Sequence, residues 1–250
     1  MKPITTINDV IEVLESITDE CLTTENKLGY FAVLYQKVTV KVKEGIAAGI
    51  FEDGPRMEKL DVVFAKRYID AYFAWKQDET VTSSWEKAFS QAEDKKLLVT
   101  QHLLLGMNAH INLDLGIAAA EVSTGNRIEE LENDFNKINE ILASLVDEVQ
   151  NGLSSIWPFL RKILKLSGKV DNYIVDFSMK IARDGAWKFA TELAAIEIIL
   201  QPEQIKLRDK KVAAKSTIIT TPGKWIQFLL WMIRLTESSS VRQNIKKLKQ

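Results

Sequence analysis

Residues Leu97 to Glu121 constrain the fold more than any other stretch. Placed on a helix at about 100° per residue, Leu98, Leu103, Leu104, Leu105, Met107, Ile111, Leu113, Leu115 and Ile117 cover every direction. A helix that is apolar all round is buried on all sides, so other elements must wrap this one. The same segment carries His102, Asn108, His110, Asn112 and Asp114, with Glu121 at its end. Buried polar groups are costly unless hydrogen-bonded, and a buried carboxylate needs a partner. The fold must therefore supply both a core around this helix and specific partners within that core.

The rest of the chain reads as the wrapping. Helical periodicity dominates and period-two alternation is almost absent. Helices are expected near Ile7–Ser16, Glu25–Phe51, Met57–Trp75, Ser84–Ala92, Lys95–Ala120, Arg127–Val149, Ser155–Leu166, Asn172–Leu200, Glu203–Lys215, Lys224–Leu235 and Val241–Leu248. Turn chemistry separates them at Asp53-Gly54-Pro55, Ser123-Thr124-Gly125-Asn126, Gln201-Pro202 and Thr221-Pro222-Gly223. The β-branched patch Val38–Val42 stays helical in this reading, because Tyr35, Thr39, Ile46 and Gly49 fall on one helical face. The fold class expected is all-α, a single multi-helix bundle around the buried helix. Residues 1–202 form its core domain, and 203–250 a basic helical extension packed on or flanking it.

Charge sets that extension apart. From Glu203 to Gln250 there are 11 Lys and Arg against 3 Asp and Glu, while Met1 to Pro202 holds 22 against 31. A basic end on an acidic body can contact a membrane surface or the body itself. Trp225, Phe228, Leu229 and Met232 stripe the Lys224–Leu235 helix, with Ile226, Leu230, Trp231 and Ile233 on its other side. It reads either as a core helix or, with Lys246, Lys247 and Lys249 nearby, as a peripheral membrane contact. No nucleic acid is expected, since no base-reading motif accompanies the charge. No transmembrane segment is expected: the apolar stretch Trp225–Ile233 falls far short of the roughly 20 residues a span needs. One cysteine, Cys21, and an N-terminus without a secretory pattern point to a reducing, cytoplasmic setting.

The candidate site lies on the central helix. Gly106, His110, Asp114, Ile117 and Glu121 share one face, and Asn108 and Asn112 another. His110 and Asp114, four apart, project side by side with a rise of about 6 Å. That spacing suits two ligands of one divalent metal ion, or a His oriented by a carboxylate for acid–base work. On the Met57–Trp75 helix, Asp61, Phe64, Ala65, Tyr68, Tyr72 and Trp75 share a face, with Asp61 at the edge of an aromatic stripe. On Asn172–Leu200, Asp176, Arg183, Trp187 and Ala194 do so. Arg183 beside Trp187 can clamp a carboxylate or phosphate next to a stacking surface, or neutralise Asp114 or Glu121. The expected catalytic or metal residues are thus His110, Asp114 and Asp61, with Arg183, Trp187, Tyr68, Asn108 and Asn112 binding the substrate. The alternative is a fully paired network that only specifies packing. No Gly-rich phosphate loop, nucleophile elbow, paired-cysteine zinc motif or HExxH occurs.

Two resemblances bear on this. Leu60-Asp61, Phe64-Ala65 and Tyr68, then Trp85 and Ala88-Phe89, then the run Gln101 to Leu115 with its Asn-Ala-His-Ile-Asn-Leu-Asp-Leu core, then Arg183 and Trp187, resemble an all-helical bacterial family, a domain of unknown function. The likeness spans roughly residues 25 to 200 and implies no activity. More distantly, Leu105-Gly106, His110 and Asp114 have the spacing of the Leu-Gly-x-x-x-His-x-x-x-Asp helix in zinc-dependent phospholipase C and P1-type nucleases. Those all-helical enzymes use three zinc ions and several further His ligands, whereas this chain has 2 His. What that likeness implies is a single His–carboxylate metal site or a metal-free remnant, acting on a phosphoester or lipid-like substrate. A metal-assisted hydrolase is therefore one expectation, and a non-catalytic ligand-binding or structural protein the other.

Overall fold

The computed structural model describes residues 3–94, 96–125, 127–138, 141, 179–235, 237 and 240–250. Among these residues there is no strand; the protein is all-α. The helices are α1 (Ile7–Thr24), α2 (Gly29–Ala47), α3 (Gly54–Lys76), α4 (Ser83–Ser90), the central α5 (Val99–Val122), α6 (Met179–Ala194), α7 (Gln201–Thr220), α8 (Lys224–Arg234) and α9 (Val241–Lys249). Residues 132–138 are also helical. The helix expected at Ser155–Leu166, the far end of Arg127–Val149 and the start of Asn172–Leu200, Asp176 included, lie outside the described residues.

Local chemistry sets the ends. Thr6 caps α1 through the Asp9 amide, and Asp9 reaches back to the Thr6 amide at 2.9 Å, a capping box. The Ile7, Val10, Leu14, Ile17, Cys21 stripe continues past Ser16. The helix therefore runs eight residues further than its first turns require, to Thr24, and Glu25 closes it with a left-handed φ of 54°. Asp53 caps α3 through the Arg56 amide at 2.9 Å, with Pro in the first turn. The Val38–Val42 patch is helical within α2.

α5 is buried along its length, apart from half-buried Thr100, Met107 and Ile111 and exposed Glu121. It is long and apolar enough to cross a membrane, and here it is the core helix instead. Its two glycines let neighbours close in. A Cβ at Gly106 would lie 2.5 Å from the Phe31 ring of α2, and one at Gly116 would lie 2.9 Å from the Ala186 carbonyl of α6. Around α5, α2 and α4 pack on the N-terminal half, α3 and α6 on the widened turn and the C-terminal half, and α7 against both α4 and α5. α9 packs on α1 and α2, burying Ile245 and Leu248. Within 203–250, α7 thus packs on α4 and α5, and α9 on α1 and α2.

Two buried carboxylates bind distant chain segments. Asp209 of α7 accepts the first amides of α4, Ser83 at 2.7 Å and Ser84 at 2.9 Å. Asp134 accepts the Glu52 and Asp53 amides at 2.7 and 2.9 Å, ahead of α3. An N-terminal helix amide left without its acceptor costs about 1–2 kcal/mol, and Asp209 serves two. Asp209→Ala should lower stability by about 2 kcal/mol or more in urea unfolding, while its exposed neighbour Lys210→Ala changes it by less than about 0.5 kcal/mol. Equal effects at the two positions would show that the cap is not holding α4.

Candidate functional site: a buried histidine–aspartate pair

α5 is not a regular α-helix where it carries the motif. From His110 to Asp114 the turn widens, and the Leu115 amide bonds the His110 carbonyl five residues back. Such π turns cost hydrogen-bond geometry and are frequent at functional positions. Positions four apart on an α-helix are offset by about 40°; the wider turn reduces this offset. His110 Nδ1 lies 3.1 Å from Asp114 Oδ2.

Asp114 is the hub. Its Oδ1 accepts Arg67 Nε at 2.8 Å from α3, and its Oδ2 accepts Trp85 Nε1 at 2.8 Å from α4 as well as His110. Burial alone would raise this carboxylate. The His110 bond, the Arg67 charge and the Trp85 N–H outweigh burial and hold it below its usual range. Burial pushes His110 the other way, below the usual imidazole range, against the pull of Asp114. The imidazole is therefore neutral and Asp114 ionised. A carboxylate takes the ring N–H, so the proton sits on Nδ1 and the lone pair on Nε2.

That lone pair faces no partner. His110 is 2% exposed, and its Nε2 accepts no hydrogen bond. Aromatic rings enclose it. Phe64 stacks on the imidazole at 3.6 Å between centroids with planes 7° apart, and Tyr35 meets it edge-on at 4.4 Å. Phe31, Trp85 and Tyr68 lie at 5.8, 5.9 and 6.1 Å. Three more buried polar atoms have no partner: the hydroxyls of Tyr35 and Tyr68, whose rings meet His110, and Asp61 Oδ2, whose charge reaches Tyr35. The Thr39 hydroxyl beside Tyr35 is turned to the Tyr35 carbonyl at 3.0 Å. Burial, with the Asp61 and Asp114 charges, holds the Tyr35 hydroxyl well above the usual phenol range. Burial raises Tyr68 likewise. Burial, helped by the Glu58 charge, pushes Asp61 up to about 8. Near neutral pH the cage thus holds one base and two phenols.

The other expected residues divide. Asn108 and Asn112 are not open to a substrate. Asn108 donates to the Val212 carbonyl at 2.9 Å and to Ser216 Oγ at 3.2 Å, and accepts from Asn112 at 3.2 Å. With Gln101, which donates to the Ile219 carbonyl at 2.8 Å, they fasten α5 to α7. Arg183 does not neutralise Asp114 or Glu121. It donates to the Phe135 carbonyl and lies over the Phe135 ring, whose other neighbour is Trp187 at 4.9 Å. No hydrogen bond, ion pair or ring contact joins Arg183 or Trp187 to His110, Asp114 or Asp61. A metal triad is not assembled either: among the described residues no three His, Cys, Asp or Glu side chains could hold a metal ion. Both Asp114 oxygens already carry N–H donors, one of them from a cation. The geometry is that of a carboxylate-oriented histidine.

Arg67 was not legible in the sequence as Asp114's counter-ion, nor was the enclosure by Phe31 and Tyr35 of α2. The available signal was weak: Arg67 lies three residues after Phe64, on the edge of the aromatic face. His102, the second histidine, sits apart beside Tyr30 at 5.8 Å, and burial pushes it down to about 3.

With this geometry established, comparison with known proteins gives a family. Residues 7–222 match the model of DUF5995, a family of unknown function. The chain belongs to that family. No curated protein and no solved structure matches it. The buried pair, its cage and the helices that build them all fall within the matched span, whereas α8 and α9 lie beyond it.

Asp61 gives a signed pH test. Its folded pKa is raised, from 3.8 to about 8. Between these values the unfolded chain releases a proton that the folded protein keeps, so this group lowers stability as pH rises through that window. Asp61→Asn removes the effect. Its melting temperature should exceed the wild type's by several degrees at pH 8 and differ little at pH 4. A wild-type advantage that grows with pH would show that Asp61 is ionised and paired in the fold.

Proposed function

We propose that the His110 cage is a metal-independent acid–base site that hydrolyses an ester bond in a lipid-like substrate. The observation that carries this reading is His110 Nε2, a buried and unpartnered lone pair on a neutral imidazole whose other nitrogen is held by an ionised carboxylate. That is the state a general base requires. His110 takes a proton from water as the water oxygen bonds to the acyl carbon. The carbonyl electron pair moves to its oxygen, where the Tyr35 or Tyr68 hydroxyl can donate to it. Collapse breaks the acyl–oxygen bond, and the leaving alkoxide takes the proton back from the imidazolium. Asp114 orients the ring and stabilises its transient charge. The aromatic walls favour an uncharged acyl group over a phosphate dianion, which Asp114 would repel.

One observation favours a second reading, a purely structural pair: Phe64 covers a full face of the imidazole at 3.6 Å. Replacing His110 with Phe separates the two. It fills the cage, leaves Asp114 its Arg67 and Trp85 donors, and removes the base. Hydrolysis of p-nitrophenyl esters of graded chain length should fall by about 100-fold or more, with melting temperature unchanged or higher. In the wild type the rate should fall as pH passes about 8, where ionised Asp61 puts a negative charge near the Tyr35 hydroxyl that would donate to the oxyanion. Equal rates in wild type and variant at every chain length would end the enzymatic reading. A clear loss of stability alongside would favour the structural one.

A further inference from the structure

α8 is held by one apolar face and shows another to solvent. Leu229 and Ile233 are buried, and Ile226 and Leu230 pack against the core. Trp225 and Trp231 are each 57% exposed, and Phe228, Met232 and Leu235 are exposed with them. The three aromatic rings form a row, Trp225 to Phe228 and Phe228 to Trp231 each at 6.0 Å. A contiguous exposed aromatic face marks an interaction surface.

The charge around it identifies the partner. Residues 210–250 contain nine Lys or Arg and a single acid, Glu237. The side chain of that acid is buried and paired with Arg234 at 3.2 Å, while Arg242 and Lys249 pair with Glu25 and Asp19 at 3.6 and 2.9 Å. Lys224 and Arg234 stand at the two ends of the aromatic row. The occupant must therefore be apolar where the rings enter and negative around them. A second copy would bring an equally basic face and be repelled. Trp and Phe beside Lys and Arg on a helix lying flat are the chemistry of the membrane interface.

We propose that α8 docks the protein on an anionic lipid surface, its aromatic row inserted at headgroup depth and the exposed Lys224, with the exposed Lys210, Lys211 and Lys215 of α7, drawn to the lipid phosphates and carboxylates. This does not depend on the acid–base reading and is tested without it. The full chain is sedimented with vesicles of phosphatidylcholine alone and of phosphatidylcholine with phosphatidylserine, at low and high salt. Binding should need phosphatidylserine and weaken at least tenfold in high salt. Trp225→Ser/Phe228→Ser/Trp231→Ser should lose at least tenfold in binding, with circular dichroism and melting temperature unchanged, because all three side chains face solvent. Brominated phosphatidylcholine in the anionic vesicles should quench wild-type tryptophan emission, which holds the proposal to account even if the variant misfolds. No phosphatidylserine-dependent sedimentation, or sedimentation without bromine quenching, overturns it. So does a wild-type dimer that the triple variant dissolves, or a single-stranded oligonucleotide bound through the same three residues in place of vesicles.

Discussion

The interaction on which the rest depends is the set of three N–H donors on the Asp114 carboxylate. They come from α3, α4 and α5 itself, so one buried charge registers three helices at a single point. Such a charge is tolerable only when it is hydrogen-bonded and paired with a cation, here Arg67. Removing one partner of a buried ion pair typically costs about 3–5 kcal/mol, more than apolar packing of the same volume would risk. The widened turn from His110 to Asp114, the glycine at position 106 that admits Phe31, and the aromatic enclosure are arranged around that constraint.

The polar residues of α5 divide into two kinds. Gln101 and Asn108 are bonded to backbone carbonyls of α7, and Asn112 donates to the Asn108 side chain. Arg208 of α7 returns a bond to the Asn112 carbonyl at 2.9 Å within the widened turn. These groups specify how two helices meet. His110 Nε2, Tyr35, Tyr68 and Asp61 are different: they are buried without partners, and each such group works against stability. These unbonded polar atoms are what the proposed acid–base reading rests on.

Most of the fold was legible from hydrophobic pattern alone, because a helix apolar on every side can only be a core helix. The His110–Asp114 contact was legible from spacing, since four residues bring two side chains together on any helix. What could not be read was which neighbour would meet them. Arg67 and Arg183 both carry the charge that Asp114 needs, and only the crossing of α3 over α5 selects Arg67. The Asn residues looked like site residues because sequence shows that a polar group is buried and not whether a backbone carbonyl on another helix satisfies it. For a related reason the sequence left α8 open between a core helix and a peripheral contact. A helix apolar on both sides reads as core until the structure shows one side without cover.

The central claim is that a buried, ionised Asp114 holds His110 neutral with its proton on Nδ1 and its lone pair on Nε2. Long-range nitrogen–proton NMR of uniformly labelled protein reports that state directly, with His102→Gln to assign the signals. The account predicts a neutral ring protonated at Nδ1 near pH 7, still neutral when the solution falls below the ordinary imidazole range. An imidazolium near pH 7, or a neutral ring carrying its proton on Nε2, would contradict it.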